Sequence, residues 1–225
     1  MKRFCIPPEK NAAFVQAMED VLDVYHRPYD PARPQVCLDE TSKQLLEHTR
    51  VPIPARPGKR ARIDDEYKRC GTANIFAAVE PITGRGLVQV TERRTAVDMA
   101  HFLRRISEEE YPKAKAIVLV MDNLNIHGLP CLYEAFEPAE ARRLAQRFEI
   151  HHTPKHGSWL NMAEIELNIL MGQCLNRRID NLDTMKQEVK AWENDRNNKE
   201  ATINWQFTND KARIKLKKLY PTILA

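Results

Sequence analysis

Three acidic residues stand where their carboxylates can share a divalent cation. Asp39 directly follows the apolar run Val36-Cys37-Leu38, and Asp122 directly follows the unbroken run Ile117-Val118-Leu119-Val120-Met121. In open α/β sheets, ligands gather beyond the carboxyl ends of the strands, so two such strands side by side would bring the two carboxylates to one edge. Carboxylates alone repel each other there; a divalent cation relieves the repulsion, and carboxylate oxygen is the ligand magnesium prefers. A plainer reading competes: acids after strands commonly cap turns or open loops, and Asp122-Asn123 reads as an ordinary turn. The third acid, Glu164, opens a helix after Trp159-Leu160-Asn161. Asn161 followed three residues later by Glu164 also fits a capping box with Asn in place of Ser or Thr. The two roles are compatible, because both hold a carboxylate at the helix N-terminus. Glu166 is a rival. It lies about 200° further round the helix, so only one of the two faces a site squarely.

Other residues near these acids carry weaker signals. Asn123, Asn125 and His127 sit just past Asp122 and could orient substrate or support the acids from behind; loop hydrogen bonding explains them equally well. Lys155 and His156 precede the third acid and could touch phosphate, against the alternative of a solvated loop. His151-His152 invites a metal reading, but neighbours on a strand point to opposite faces, which makes joint ligation improbable. Trp159 could stack on a base, although a tryptophan there more often packs on the core; Trp192 and Trp205 read as core. Arg56, Lys59, Arg60 and Arg62, and the tail residues Lys211, Arg213, Lys215, Lys217 and Lys218, are candidate phosphate-backbone contacts. Solvated charge is the default for such runs.

The elements that must position these residues follow from periodicity. Asn11 to Tyr25 has Phe14, Met18, Val21, Leu22 and Tyr25 at helical spacing, with Asn11 as cap. Val36 to Leu38 reads as a strand, followed by a polar, proline-rich stretch from Thr41 to Gly71. Thr72–Val79 and Leu87–Thr91, around the turn Pro81-Ile82-Thr83-Gly84, read as a hairpin. Thr95 to Glu109 is helical. The five-residue run at Ile117 predicts a strand buried on both faces. Ala139–Phe148 predicts a helix, Glu149–Thr153 a strand and His156–Trp159 a loop. Asn161–Leu175, Leu182–Arg196 and Asn209–Leu219 read as helices. This alternation indicates an α/β layer with a mixed sheet. Residues 1–35 read as a lead-in with one helix, and 36–225 as one α/β domain.

Composition adds bounds. The chain has 225 residues, 43% of them hydrophobic and 29% charged, with a formal net charge of +4. That suffices for one generous domain, and the mild basicity permits nucleic-acid binding without demanding it. Five scattered cysteines, with no C-x-x-C pair, support neither a disulfide framework nor a structural zinc site. No apolar run approaches the roughly 20 residues of a membrane span, and MKRFCIPPEK has no apolar h-region. A cytoplasmic location is expected.

Three blocks also carry a family resemblance: Cys37-Leu38-Asp39-Glu40-Thr41; Val120-Met121-Asp122-Asn123-Leu124-Asn125-Ile126-His127; and Thr153-Pro154-Lys155-His156-Gly157-Ser158-Trp159-Leu160-Asn161-Met162-Ala163-Glu164. In this order they resemble the catalytic blocks of mariner-superfamily DDE transposases, most closely the bacterial insertion-sequence branch. Gly71-Thr72-Ala73-Asn74 and Val90-Thr91-Glu92-Arg93-Arg94-Thr95 match the same style, so the resemblance runs from about Cys5 to Pro221. It implies a ribonuclease-H-like fold. Asp39, Asp122 and Glu164 take the catalytic and metal-binding positions, and the Asn-x-x-Glu pattern selects Glu164 over Glu166. It further implies two magnesium or manganese ions, cleavage at element ends, and strand transfer into target DNA at a TA dinucleotide. The expected partners are terminal-repeat and target DNA and a second copy of the chain, at a bacterial nucleoid. Family members carry an N-terminal helix-turn-helix region. This sequence opens at the equivalent of the linker, which fits either a truncated or split reading frame or a separately expressed domain partnered by a separate helix-turn-helix module. A ribonuclease-H-like nuclease without strand transfer, and a non-catalytic DNA-binding derivative, are the alternatives.

Overall fold

The computed structural model describes residues 10–122 and 128–221. The apolar run Ile117–Met121 forms β4, buried along its whole length as its unbroken hydrophobicity predicts. Its neighbours are β1 (Gln35–His48) and β5 (Phe148–His152), both parallel to it. The sheet is completed by β2 (Tyr67–Glu80) and β3 (Arg85–Thr91), in the order β3-β2-β1-β4-β5. The hairpin predicted around Pro81–Gly84 is β2–β3, antiparallel to each other, and β2 is antiparallel to β1.

Strand alternation sorts the core into two layers. Val36, Leu38, Ile117, Leu119 and Met121 face α2 (Ala96–Arg105), α3 (Pro130–Ala135) and α4 (Pro138–Ala145). Cys37, Val118 and Val120 face α1 (Ala12–Tyr25), the start of α5 (Ala163–Gln173) and α7 (Asn209–Lys215). Further along the same face, Ile75, Ala77, Val88 and Val90 pack on α5 and α6 (Leu182–Asn198). By parity Asp39 shares the face of Cys37, and Asp122 follows the parity of Val118 and Val120. Both acids therefore belong to the side covered by α5, the helix that carries Glu164.

Two expectations are corrected. The first strand does not end at Leu38, and the polar stretch does not span 41–71: β1 runs on to His48 and β2 begins at Tyr67. Near its outer end this ribbon carries a bulge between Gln44 and Leu46 and has exposed faces, so no apolar alternation marks it. The short helix α3 was also not foreseen; six residues opened by Pro130 are too few to show a period. The helix predicted from Thr95 is sound at its start, where Thr95 and Asp98 form a capping box, but it ends in a π-helical turn at Ile106–Glu110.

The lead-in helix is docked firmly. Asn11 caps it as expected, accepting from the Phe14 N–H at 2.9 Å. Asp20 meets His151 at 2.7 Å, while Arg27 and Arg33 both pair with Glu149. Glu149 is partly buried, which works to raise it, yet the hydrogen bonds from Arg27 and His151 and the two guanidinium charges hold its carboxyl at about 2. At the opposite edge, α6 substitutes for a missing strand. Glu193 accepts the Val88 N–H at 2.7 Å, and Asn197 accepts the Gly86 N–H at 2.7 Å and donates to its carbonyl at 2.8 Å. Side chains thus occupy edge groups of β3 that would otherwise invite pairing with another chain.

Candidate active site

Asp39 sits within β1, opposite Ala77 of β2. On its other side the parallel pairing with β4 stops at Cys37 opposite Val120. Asp39 is thus mid-strand toward β2 and just past the strand end toward β4. Asp122 follows the last residue of β4, so both acids flank the point where β1 and β4 part. In a mixed sheet that opening is where a ligand can sit. The strand end bearing Asp122 is held from β5: His152 Nδ1 lies 3.1 Å from the Asp122 carbonyl, and since a carbonyl only accepts, Nδ1 donates. His151 points the other way, to Asp20 and Glu149, so the two histidines do split between faces.

The third acid arrives through a tight segment. Thr153 donates its N–H to the Met121 carbonyl at 2.9 Å, and Gly157 donates to the Pro154 carbonyl at 2.8 Å. A β-carbon at Gly157 would stand 2.5 Å from Pro154 Cγ, so only glycine fits this close approach. His156 takes φ +64°, an uncommon conformation for a residue with a side chain. The turn holds Lys155 and His156 in solvent just ahead of Glu164. Ser158–Leu160 forms a 3-10 turn, and Trp159 packs 6.0 Å from Phe207, between ring centroids, leaving part of its surface exposed. The capping box that Asn161 and Glu164 would fit, the plainer alternative for this pair, is not formed. The Asn161 side chain accepts from Ala163 rather than Glu164, and its own N–H goes to Ser158. Glu164 lies in the first turn of α5. Its rival Glu166 is buried on another side of the helix, gripped by Arg196 at 2.7 and 3.0 Å.

Asp39 senses the charges of the other two acids. Burial pushes the Asp39 carboxyl up to about 7. The Glu40 N–H, donating to it at 2.9 Å, pulls it down, while the charges of Glu40, Asp122 and Glu164 push it up. Glu40 in turn pairs with Arg94 at 3.0 Å. A partly buried group of mutually repelling carboxylates is the all-oxygen donor set that suits magnesium or manganese. Among the described residues, however, no three His, Cys, Asp or Glu side chains are already gathered into a metal cage. The acids are neighbours within reach of one another's charge rather than a closed ligand set.

This carries a stability prediction. The native chain holds a proton on Asp39 up to about pH 7, whereas an unfolded aspartate releases it near pH 4. Stability in metal-free buffer therefore falls as pH rises from about 4 to about 7 and stays reduced above it. Asp39→Asn is expected to stabilise the metal-free protein at pH 8 by up to about 4 kcal/mol, and hardly at pH 4. Urea unfolding with EDTA at both pH values checks this; an equal effect at both would contradict it.

The basic residues divide. Arg56, Lys59, Arg60 and Arg62 are exposed on the connection 49–66, which extends the β1–β2 ribbon from the same end of the sheet as the acids. Arg56 and Lys59 bond mutually around Pro57-Gly58, with Gly58 at φ +75°, and Ile53 and Arg62 pair behind them. The root of this arm is clamped by Arg178, which donates to the carbonyls of Asp65 and Glu66 and stacks over Tyr67. In the tail, Arg213 is spent on Glu19, while Lys215, Lys217 and Lys218 are exposed. Trp192 and Trp205 pack, partly buried, against the core as expected. Asn123, Asn125 and His127 lie outside the described residues. Sequence reasoning missed Tyr25, whose hydroxyl donates to the Leu160 carbonyl at 2.7 Å and accepts from Cys37, tying the lead-in helix to the loop before Glu164. Its place in an apolar helical stripe gave no sign of that role.

Residues 34–186 match the family described as DDE superfamily endonuclease. The chain belongs to that family. No curated protein matches it by sequence. Among solved structures, this DDE endonuclease chain is similar to the Mos1 mariner paired end complex with Mn (TM-score 0.56, 17% identity, covering 89% of this chain and 60% of that one). It is also similar to the Mos1 strand transfer complex (TM-score 0.58, 16% identity, 86% and 57%) and to the Mos1 paired end complex with Mg (TM-score 0.57, 14% identity, 99% and 67%). The chain spans about 60% of the length of the first of these. At such identities the likeness establishes the fold: a mixed five-stranded sheet flanked by helices, similar to the ribonuclease-H-like catalytic domain of Mos1 transposase.

Proposed function

We propose that this DDE endonuclease is the catalytic domain of a DNA transposase, which cuts strands at the ends of its element and joins them to target DNA. One observation carries the reading: Asp39 and Asp122 flank the parting of β1 and β4, and the charges of Asp122 and of Glu164 on α5 reach Asp39. We assign these three as the catalytic acids and metal ligands. Two magnesium or manganese ions, when bound, would supply activation of the attacking oxygen and stabilisation of the leaving oxygen. The chain's own part is to hold the three carboxylates on rigid elements, two on strands and one on a helix, and to position the DNA strand beside them. Lys155 and His156 are set to meet phosphate next to Glu164, and the exposed edge of Trp159 to meet a base.

The likeness to Mos1, whose structures are described as paired-end and strand-transfer complexes and contain Mn or Mg, supports DNA as partner and a divalent metal as cofactor. The block from Thr153 to Glu164 supports the bacterial insertion-sequence branch, and with it a bacterial, cytoplasmic setting. By the same reading residues 36–225 are the catalytic domain, with the lead-in helix docked on it. The protein acts as a homodimer on these DNA ends. Insertion at TA is physically reasonable because TA steps unstack and bend easily.

Pre-cleaved element ends supplied with target DNA and Mn²⁺ test the proposal. Joined products support transposition, hydrolysis alone indicates a nuclease without strand transfer, and DNA binding without either reaction indicates a non-catalytic derivative. The arm makes its own prediction. Replacing Arg56, Lys59, Arg60 and Arg62 together with Ala is expected to weaken DNA binding by at least about 10-fold near 0.1 M salt. The slope of log K against log salt should shrink by up to about 3.6, since each of four phosphate contacts contributes about 0.9. Binding isotherms over a salt series check it; an unchanged slope would place the arm away from DNA.

A further inference from the structure

Asn161 is 1% exposed and uses both ends of its amide on different elements. Nδ2 donates to the Leu38 carbonyl at 2.7 Å, and Oδ1 accepts the Ala163 N–H at 3.1 Å. The orientation of the amide follows from its partners, because a carbonyl only accepts and a peptide N–H only donates. Its main-chain carbonyl accepts the Glu164 N–H at 3.2 Å. Leu38 precedes Asp39 and Ala163 precedes Glu164, so one side chain joins the immediate neighbours of two acids 125 positions apart in the chain.

The strand geometry explains the place. The Pro34 carbonyl faces β4, accepting the Val118 N–H at 2.9 Å. Alternate carbonyls of a strand face the same way, so that of Leu38 also faces β4. The β1–β4 ladder has ended one residue earlier, at Cys37 opposite Val120. Leu38 therefore presents a buried carbonyl where the neighbouring strand has left, and such a group needs a donor. Asn161 supplies it. At its other end, the cap position Met162 of α5 makes no side-chain capping bond, and Asn161 supplies that contact too.

We propose that Asn161 is a positioning residue for the metal site: its amide staples the open end of the β1–β4 ladder to the first turn of α5, and so sets the separation of the Asp39 and Glu164 carboxylates. The proposal rests on the three-acid reading of the site. No smaller or isosteric side chain makes both bonds. Aspartate would set an oxygen against the Leu38 carbonyl, and serine can cap Ala163 but is too short to reach the strand. With the staple cut, each acid keeps its own element but the elements lose their mutual register.

The test compares wild type, Asn161→Ala, Asn161→Ser and Asp122→Asn as folded, DNA-free protein, titrated with Mn²⁺ and followed by the spin-resonance signal of the free ion. Cutting is then measured over the same Mn²⁺ series, and DNA affinity in Ca²⁺. Both Asn161 variants are expected to raise the Mn²⁺ dissociation constant by about 10-fold or more, the range found when a partner that orients metal ligands is removed. The half-activating Mn²⁺ concentration should rise in parallel, with DNA affinity changed less than about 2-fold. Serine keeps the helix cap and serves where alanine does not fold. Wild-type Mn²⁺ binding and half-activation in folded Asn161→Ser overturn the proposal, even if that variant melts earlier. Asp122→Asn tells the two readings apart. If it binds and cuts like wild type, the three-acid site is wrong. If it is dead while Asn161→Ser behaves normally, only the positioning role falls.

Discussion

Asp122→Asn is expected to lower the cutting rate by about 1,000-fold or more, with DNA affinity in Ca²⁺ nearly unchanged, and Asp39→Asn and Glu164→Gln to do the same. A divalent ion at a phosphoryl oxygen is worth several kcal/mol of transition-state stabilisation, at about 1.4 kcal/mol per tenfold in rate. Each amide substitution keeps the shape of the side chain but removes an anionic oxygen from a small all-carboxylate set. DNA affinity, by contrast, comes mainly from phosphate contacts with basic residues, which these substitutions leave in place. Single-turnover cleavage of an end substrate in Mg²⁺ and in Mn²⁺ is the measurement. Wild-type cutting by any one of the three variants removes that residue from the catalytic set.

Arg196→Ala is expected to cost about 3–5 kcal/mol of stability and to lower the melting temperature by roughly 10 °C. The guanidinium grips Glu166 through two bonds, with side-chain exposures of 16% and 5% for the pair, so water cannot take its place. Removing the cation leaves a buried carboxylate with its counter-charge gone, which is why breaking such a pair costs far more than the pair itself is worth. Glu166→Gln should be milder, since an amide oxygen still accepts from Arg196. Once scaled to its folded fraction, Glu166→Gln should cut at close to the wild-type rate, while Glu164→Gln should not. Calorimetry and cleavage assays on the three variants check both halves. A dead but fully folded Glu166→Gln would transfer the catalytic role two residues along the helix.

Much of the fold is written in local signals along the chain, for identifiable reasons. Five consecutive apolar residues at Ile117 can only be satisfied by burial on both faces, and they form β4. The apolar period of α1 and the turn residues between β2 and β3 are local signals read from local chemistry. Where such signals were absent, the reading failed. Apart from the buried Leu45, the outer half of β1 and the start of β2 are largely polar and open to solvent, and their pairing with each other makes them strands.

From the sequence alone came the alternation of helix and strand, the family blocks, and the placing of Asp122 and Glu164 beside element ends, because each depends on residues within a few positions; Asp39, read as following a strand, lies inside β1. Only the tertiary structure decided that β1 and β4 part beside the first two acids, that Arg196 holds Glu166 away, and that Asn161 ties Leu38 to Ala163. The Arg196–Glu166 and Asn161–Leu38 contacts join positions 30 and 123 residues apart. No local period encodes such pairings; they exist only once burial has brought the elements together and every buried polar group has had to find a partner.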